Sequence, residues 1–456
     1  MSLQTATRSQ SDQTLLRSGF AVLLVWIGTL LATRFIPVEV QPEGALFIPA
    51  VIQSVALMLP AVWQFMTNWR RVLRAEYLLT VGLVFWLLLD MIQGRYALEG
   101  VSANDVHATF FAIGTMASAI WIGVIARPWA LPGVLERSST LSFKPKQTFR
   151  IILVLFVLGI FKYAQAVDFN VIRMFQYVGA SRWATPWARG ALGGWGSFID
   201  HLVYFGYVVP ALTVIYGSIA GWKGWRPVLC IILSIVLVLF AAQGGGRRII
   251  GVMLGAALIC WLLLQPRLRP RVAIGALISV IALTWTLQFM IENRTQGIAS
   301  SQGLQVQSED FHVDDNFYRL TQLISIFPEE HPYVHSKPIV FALVRPIPRV
   351  FWPGKPVNPG YDFAGLVTDQ RVSLTTSVIG EFFAAWGWIA IFLGGYVYGR
   401  LGAMWNRFHA TKRPYGILLY GTGALALFAG LRSMQDLVLM SYLILAWIAV
   451  AYVIRD

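Results

Sequence analysis

The sequence predicts an all-α membrane protein that crosses the bilayer about twelve times. Of its 456 residues, 57% are hydrophobic and only 13% are charged. The mean hydropathy is +0.62. These values are typical of polytopic membrane proteins and exclude an ordinary soluble domain. Apolar runs that approach or reach the length of a bilayer span recur along almost the whole chain.

The apolar runs define the predicted helices and divide the chain into three parts. They lie near 19–36, 45–66, 77–93, 107–126, 150–167, 198–220, 227–243, 248–264, 272–291, 376–399, 415–431 and 434–454. We therefore expect N-terminal transmembrane helices (1–291) with an extracytoplasmic loop at 168–197. A long loop or lid (292–375) then precedes the last three helices (376–456). No small-residue cleavage site follows Gly19–Phe35, which predicts a retained helix.

Basic residues in short connections predict the orientation. Alternate connections contain Arg70, Arg71 and Arg74; Arg127, Arg137, Lys144 and Lys146; Lys223 and Arg226; Arg267, Arg269 and Arg271; and Arg400, Arg407, Lys412 and Arg413. Cytoplasmic loops are rich in Lys and Arg, so both termini are expected in the cytoplasm. Both long loops are then extracytoplasmic.

Cations also occur on the predicted outer side, against this rule. They are Arg173, Arg182, Arg189, Arg247, Arg248, Arg294, Arg319, Lys337, Arg345, Arg349, Lys355 and Arg371. An anionic ligand on the outer face is the simplest reason to keep them there. The formal net charge of +14 is spread over many short loops, so nucleic acid is not an expected partner.

A glycine-rich turn presents two of these cations. The segment Gln243-Gly-Gly-Gly-Arg247-Arg248 joins two apolar runs. Three glycines allow close backbone approach, and amide groups with two guanidiniums suit a phosphate or diphosphate. The alternative is a tight hairpin whose arginines reach lipid headgroups.

The segment Arg345-Pro-Ile-Pro-Arg349-Val-Phe-Trp352-Pro-Gly-Lys355-Pro is the second basic motif. Its prolines restrict the backbone, so its arginines lose less entropy on binding. The planar guanidinium binds phosphate oxygens through two donors and keeps its charge. Trp352 could stack on a sugar ring or lie in the membrane interface. The alternative here is a re-entry loop with basic headgroup contacts.

Glu381 is the first candidate for a general base. It lies about one turn inside the apolar run that begins near 376, where an unpaired carboxylate is costly. We therefore expect it either to pair with an arginine or to accept a proton. His335 and His331 are alternative proton acceptors, and His201 beside Asp200 is a weaker one.

Other polar and sulfur groups predict no chemistry of their own. The acidic run 309–315 lacks the spacing of a metal site and is expected to be a solvated loop. Cys230 and Cys260 both lie in apolar runs. Arg432 and Asp436, four positions apart, are expected to pair or to line one cavity wall. No nucleotide-binding or metalloprotease motif is present in the sequence, so neither a metal nor a cofactor is expected.

Several of these residues together resemble a known family. The chain resembles the Wzy-type polymerases of oligosaccharide repeat units, which build O-antigen, capsule and exopolysaccharide chains. The resemblance rests on Gly-Gly-Arg247-Arg248, on the arginine-proline motif, and on Thr-Ser-x-x-Gly380-Glu381-Phe. It is detailed over roughly 340–400 and is architectural elsewhere.

The resemblance implies an inverting, metal-independent, C-type membrane glycosyltransferase related to the ligases of lipopolysaccharide synthesis. Such an enzyme lies in the bacterial inner membrane with its active site facing the periplasm. It moves a growing glycan from undecaprenyl diphosphate onto a new lipid-linked repeat unit. Membrane lipids and a chain-length regulator protein are the further partners implied.

The resemblance also implies roles for the candidate residues. Glu381 or one of His335 and His331 would act as base, and Arg345 and Arg349 would take part in catalysis. The groups expected to bind the diphosphate or sugar are Arg182, Arg247, Arg248, Arg345, Arg349, Trp352 and Lys355.

Two other functions stay open from the sequence. A ligase that transfers finished glycan to another acceptor uses similar chemistry. A flippase or other transporter of lipid-linked oligosaccharides predicts cations deep within the spans and repeated halves. The observed cations cluster instead near the outer loops, and no internal repeat is evident.

Overall fold

The architecture is known from a computed structural model. It describes residues 3–94, 97–181, 184–187, 199–243, 246–292, 314–347, 349, 351–367 and 374–455. Every regular element within these ranges is a helix. The all-α fold class is thereby confirmed.

Twelve apolar helices form the bundle within the described residues. Eleven of them are long and apolar enough to span a membrane, and Pro414–Gly430 is a shorter apolar helix. The twelve are α1 (Leu3–Arg34), α2 (Phe47–Val72), α3 (Ala75–Ile92), α4 (Ala103–Ile125), α6 (Pro145–Gln165), α8 (Ile199–Ala220), α9 (Trp225–Gln243), α10 (Arg247–Leu264), α11 (Pro270–Glu292), α15 (Ser377–His409), α16 (Pro414–Gly430) and α17 (Met434–Arg455). Each matches one predicted apolar run.

Short helices occupy the connections. They are α5 (Gly133–Thr140), α7 (Val171–Gln176), α12 (Asn316–Ile326), α13 (Lys337–Leu343) and α14 (Phe363–Val367). Because successive spanning helices alternate in direction, α10, α15 and α17 all begin on the same side of the bundle. This side, where α11 also ends, is called the loop face below.

The interval between α11 and α15 is partly built into the bundle. The hydroxyl of Thr109 on α4 donates to that of Thr321 on α12 over 2.9 Å, and both side chains are buried. The rings of Phe317 and Phe110 pack edge to face with centroids 5.3 Å apart. These contacts hold α12 against α4, so it is not a separate domain.

Helix α15 is interrupted at Gly387, and the same interval fills the gap. Gly387 has φ +61°, outside the helical region. The peptide N–H groups of Val334 and His335 donate to the carbonyls of Ala384 and Ala385 over 2.9 and 3.0 Å. Broken helices within a membrane protein need such partners for their freed backbone groups. The segment after α12 is therefore tied to α15 by its main chain.

Replacing Gly387 with alanine is expected to destabilise the protein by about 1–3 kcal/mol, the cost of a strained left-handed residue. The new Cβ would also lie 2.7 Å from the hydroxyl of Tyr333. Thermal unfolding in detergent measures the effect.

The matched control is Gly251→Ala, because a Cβ at this position on α10 meets nothing within 4 Å. Adding Tyr333→Phe to the Gly387 variant removes the shortest contact of the new Cβ but leaves the ring carbon Cζ 3.1 Å away and the backbone strain in place, so only part of the stability should return. A Gly387→Ala protein that melts like the wild type would contradict the assigned backbone geometry.

Candidate functional site

Five charged side chains meet at the loop face, and we call them the charged cluster. Arg247 lies 3.6 Å from Asp314, and Arg248 Nη1 lies 2.8 Å from Asp436 Oδ1. Arg432 joins both acids, through Nε to Asp314 at 2.6 Å and through Nη1 to Asp436 at 3.0 Å. The cluster thus connects the start of α10, the second residue before α12, the turn between α16 and α17, and the first turn of α17.

The position of the acids follows from helix electrostatics. Arg247 and Arg248 occupy the first turn of α10, where the helix dipole disfavours cations. Asp436 lies in the first turn of α17, where the dipole favours an anion, and its side chain is 1% exposed. A carboxylate so deeply buried needs paired cations, and Arg248 and Arg432 supply them.

Arg432 is the central cation of the cluster. Burial alone would lower the pKa of its guanidinium, but the carboxylates of Asp314 and Asp436 offset burial and raise it above its usual value. Its predicted pairing with Asp436 is confirmed. Asp314, however, does not lie in a freely solvated acidic loop as predicted, because it pairs with arginines. The residues 309–313 of that run lie outside the described ranges.

Glu381 lies beside the charged cluster but pairs with a helix end. Its Oε2 accepts the peptide N–H of Met434 over 2.6 Å. Met434 is the first residue of α17, where peptide N–H groups have no partner within the helix. The expected arginine partner is therefore replaced by the positive end of α17. The half-buried side chain keeps its other oxygen outside this hydrogen bond.

Tyr361 is a neighbour of Glu381 that sequence reasoning missed. Its hydroxyl bonds with Thr376 and lies near the Glu381 carboxylate. Burial raises the pKa of Tyr361, and the negative charge of Glu381 raises it further. The phenol therefore stays protonated and can donate a hydrogen bond. No local pattern marks this tyrosine, since its role comes from its position in the fold.

Two cations of the arginine-proline motif, Arg349 and Lys355, donate hydrogen bonds to backbone carbonyls of the same motif. Lys355 is 6% exposed, and its ammonium donates to the carbonyls of Arg345 and Ile347 over 2.9 and 2.8 Å. The guanidinium of Arg349 donates to the carbonyls of Lys355 and Pro356 over 3.1 and 3.3 Å. Burial lowers the pKa of Lys355, and the two arginines add to this. Contact of Arg349 or Lys355 with a diphosphate stays a prediction; their observed partners stiffen the motif.

Arg345 is exposed and lies near two tyrosines of the site. Its guanidinium and that of Arg248 both interact electrostatically with Tyr204. Arg345 also interacts with Tyr442, whose ring centroid is 4.9 Å from that of Tyr204. This tyrosine pair therefore connects the arginine-proline motif with the charged cluster.

The remaining candidates have no observed contact with the charged cluster or lie outside the described residues. Trp352 is 39% exposed, and Arg182 lies outside the described residues. His335 is exposed, and its peptide N–H bonds to Ala385. Ala385 is one turn, about 6 Å along α15, from Glu381.

The other two histidines have their own neighbours. Nδ1 of His331 lies 2.8 Å from the carbonyl of Pro332, and its ring packs 4.8 Å from Phe327. The His201 ring packs against Tyr442 at 5.7 Å. Their use as proton acceptors stays a prediction.

Replacing Lys355 with methionine is expected to loosen the arginine-proline motif. Two hydrogen bonds from a charged group disappear, each contributing about 1.5–3 kcal/mol. Local opening should then increase by about tenfold or more. Trypsin cleavage after Arg349 reports this directly, because the bonds after Arg345 and Lys355 precede proline and resist trypsin.

Lys337→Met is the control, since Lys337 is an exposed cation on the nearby helix α13. It should leave the cleavage rate after Arg349 unchanged. Equal rates in the wild type and the Lys355 variant would show that these hydrogen bonds do not hold the motif closed.

Comparison with known proteins identifies no relative of this chain. No family model, no curated protein and no solved structure matches the chain. The site itself offers clustered guanidiniums, a carboxylate and a phenol at the loop face of a membrane bundle. Such an arrangement can bind an anionic group and accept a proton beside it.

Proposed function

We propose that this protein is a membrane glycosyltransferase that polymerises lipid-diphosphate-linked oligosaccharide repeat units. The observation that carries the proposal is the meeting of Arg247, Arg248 and Arg432 beside Glu381, with Arg345 nearby. Basic groups from separate segments and a carboxylate at a membrane edge suit a donor with a diphosphate and an acceptor with a hydroxyl group. The resemblance over 340–400 supplies the class of glycan.

Arg248 and Arg345 are the cations best placed to bind the diphosphate. Arg248 pairs with Asp436 through one terminal nitrogen, and its side chain is 36% exposed. A guanidinium has five N–H donors, so others remain for phosphate oxygens. Arg345 is exposed on a motif that Arg349 and Lys355 hold closed. Little conformational entropy is then lost when it binds.

The proposed reaction inverts the anomeric carbon of the donor. The acceptor hydroxyl attacks the anomeric carbon and forms the new glycosidic bond. At the same time the bond between the anomeric carbon and the diphosphate oxygen breaks. The bonding electron pair leaves with the lipid diphosphate, and the hydroxyl proton passes to Glu381. The arginines stabilise the negative charge that develops on the leaving group. The loop face would be periplasmic, as the distribution of basic loops predicts.

The test is the set of lipid-linked glycans that accumulates when the gene is removed. A polymerase deletion should leave single repeat units at the periplasmic face and no long polymer. Purified protein with the lipid-linked repeat unit alone should restore a ladder of chain lengths. Accumulation of long lipid-linked polymer would instead indicate a ligase, and repeat units retained at the cytoplasmic face would indicate a flippase.

A further inference from the structure

An apolar groove lies next to the arginine-proline motif and extends between the transmembrane helices. It has a volume of about 350 Å³ and is bounded by α13, α15, α16 and α17. Its walls include Leu343, Met404, Trp405, Leu427, Val438 and Tyr442. Along α17 it extends from Leu437 to Leu445, about 12 Å of helix.

The groove has small residues inside and an open side. Gly423 and Ala426 of α16 line it and leave room between the larger side chains. The hydroxyl of Ser441 donates to the carbonyl of Leu437 over 2.7 Å. This polar group of the lining therefore already has a hydrogen-bond partner within its own helix. Leu343 and Leu445 at the rim are 65% and 57% exposed. Hydrocarbon can therefore enter from the surrounding bilayer.

One end of the groove meets the proposed phosphate site. Pro346, which lines the groove, directly follows Arg345 in the chain. Tyr442 is also a lining residue and lies next to Tyr204, which interacts with both Arg248 and Arg345. A molecule with a phosphate at these arginines and a hydrocarbon chain in the groove would contact both at once.

We propose that this groove binds the first part of the isoprenoid chain of the lipid diphosphate. The identity of the headgroup in this proposal rests on the proposed function. A groove of about 350 Å³ fits part of one linear chain, whereas a diacyl phospholipid carries two chains. The cations at its end match the charge of a polyprenyl phosphate or diphosphate, and the walls bury its chain.

The experiment measures binding of undecaprenyl phosphate by native mass spectrometry of the purified protein in detergent. Dioleoyl phosphatidylglycerol is the competing anionic lipid, and farnesyl phosphate is the short-chain probe. The wild type should bind undecaprenyl phosphate in preference to phosphatidylglycerol. Ser441→Trp fills the groove, and Leu445→Trp narrows its exposed rim. Each should weaken undecaprenyl phosphate binding by about tenfold or more, since each displaces several buried methylene groups.

Ile281→Trp is the matched control, because Ile281 on α11 is 58% exposed and does not line the groove. It should bind both lipids like the wild type. Equal undecaprenyl phosphate binding by the wild type and both groove variants would overturn the proposal, and so would equal competition by phosphatidylglycerol.

The outcome separates this proposal from the proposed function. If both groove variants lose undecaprenyl phosphate but the wild type forms no polymer from lipid-linked repeat units, the groove is correct and the enzyme assignment is wrong. If Ser441→Trp forms polymer at the wild-type rate and binds the lipid normally, the groove is wrong and the function stands. Thermal unfolding of each variant confirms that the bundle is intact.

Discussion

Replacing Arg248 with alanine is expected to stop polymer formation and leave single lipid-linked repeat units in the membrane. The reaction rate should fall by about 10²–10³-fold, the usual loss when one preorganised donor to a developing anion is removed. Asp436 keeps its ion pair with Arg432, so its carboxylate retains a cationic partner. The measurement is polymer length and yield in cells, together with the amount of protein in the membrane.

Arg173→Ala is the matched control for this variant. Arg173 is also an arginine near the loop face, on α7, and it is exposed. Its loss should leave polymer length unchanged. Arg248→Lys keeps the charge but not the forked geometry, and it should recover only part of the rate. Normal polymer from a stable Arg248→Ala protein would remove Arg248 from the phosphate site.

Replacing Glu381 with glutamine is expected to abolish polymer formation with little change in stability. The glutamine carbonyl can still accept the peptide N–H of Met434, so the contact at the start of α17 remains. Only the ability to take a proton is lost, and a positioned general base contributes about 10²–10⁴-fold to rate. Polymer yield, the level of lipid-linked repeat unit and the thermal midpoint are measured together.

Glu329→Gln provides the control, because Glu329 is an exposed carboxylate between α12 and α13. It should not change polymer yield. If Glu381→Gln retains full activity, Glu381 serves only to bind the end of α17. His335→Ala then becomes the decisive variant, since His335 bonds to α15 one turn away.

Replacing Glu381 with alanine gives a different expectation from glutamine. Alanine also removes the acceptor for the Met434 N–H at the start of α17. Leaving a buried donor without a partner costs about 1–3 kcal/mol. A lower thermal midpoint for alanine but not for glutamine separates the structural contact from the proton transfer.

Most of the fold could be predicted because hydropathy is a local property. Each apolar run corresponds to a helix, and their alternation brings Arg247, Glu381 and Arg432 to one face. The pairing of Arg432 with Asp436 was also predictable, since residues four positions apart face each other on a helical turn. Prolines likewise indicated that the Arg345 motif is stiff.

The partners within the site could not be predicted. Arg432 and Asp314 are separated by 118 positions, and Glu381 and Met434 by 53. No local pattern connects such positions. The hydrogen bonds of Lys355 to carbonyls of its own loop could not be predicted either. An ammonium group can donate to a carbonyl oxygen or to a phosphate oxygen, and the sequence does not distinguish the two.

The sequence by itself determined the membrane class, the helices and the face of the bundle at which the cations of the described residues gather. Burial of apolar runs in a bilayer and the alternation of spans suffice for these conclusions. The tertiary structure alone decided which carboxylates neutralise Arg247, Arg248 and Arg432, what Glu381 binds, and where the apolar groove lies. These features depend on how α10, α15, α16 and α17 pack, and packing sets distances that spacing along the chain does not contain.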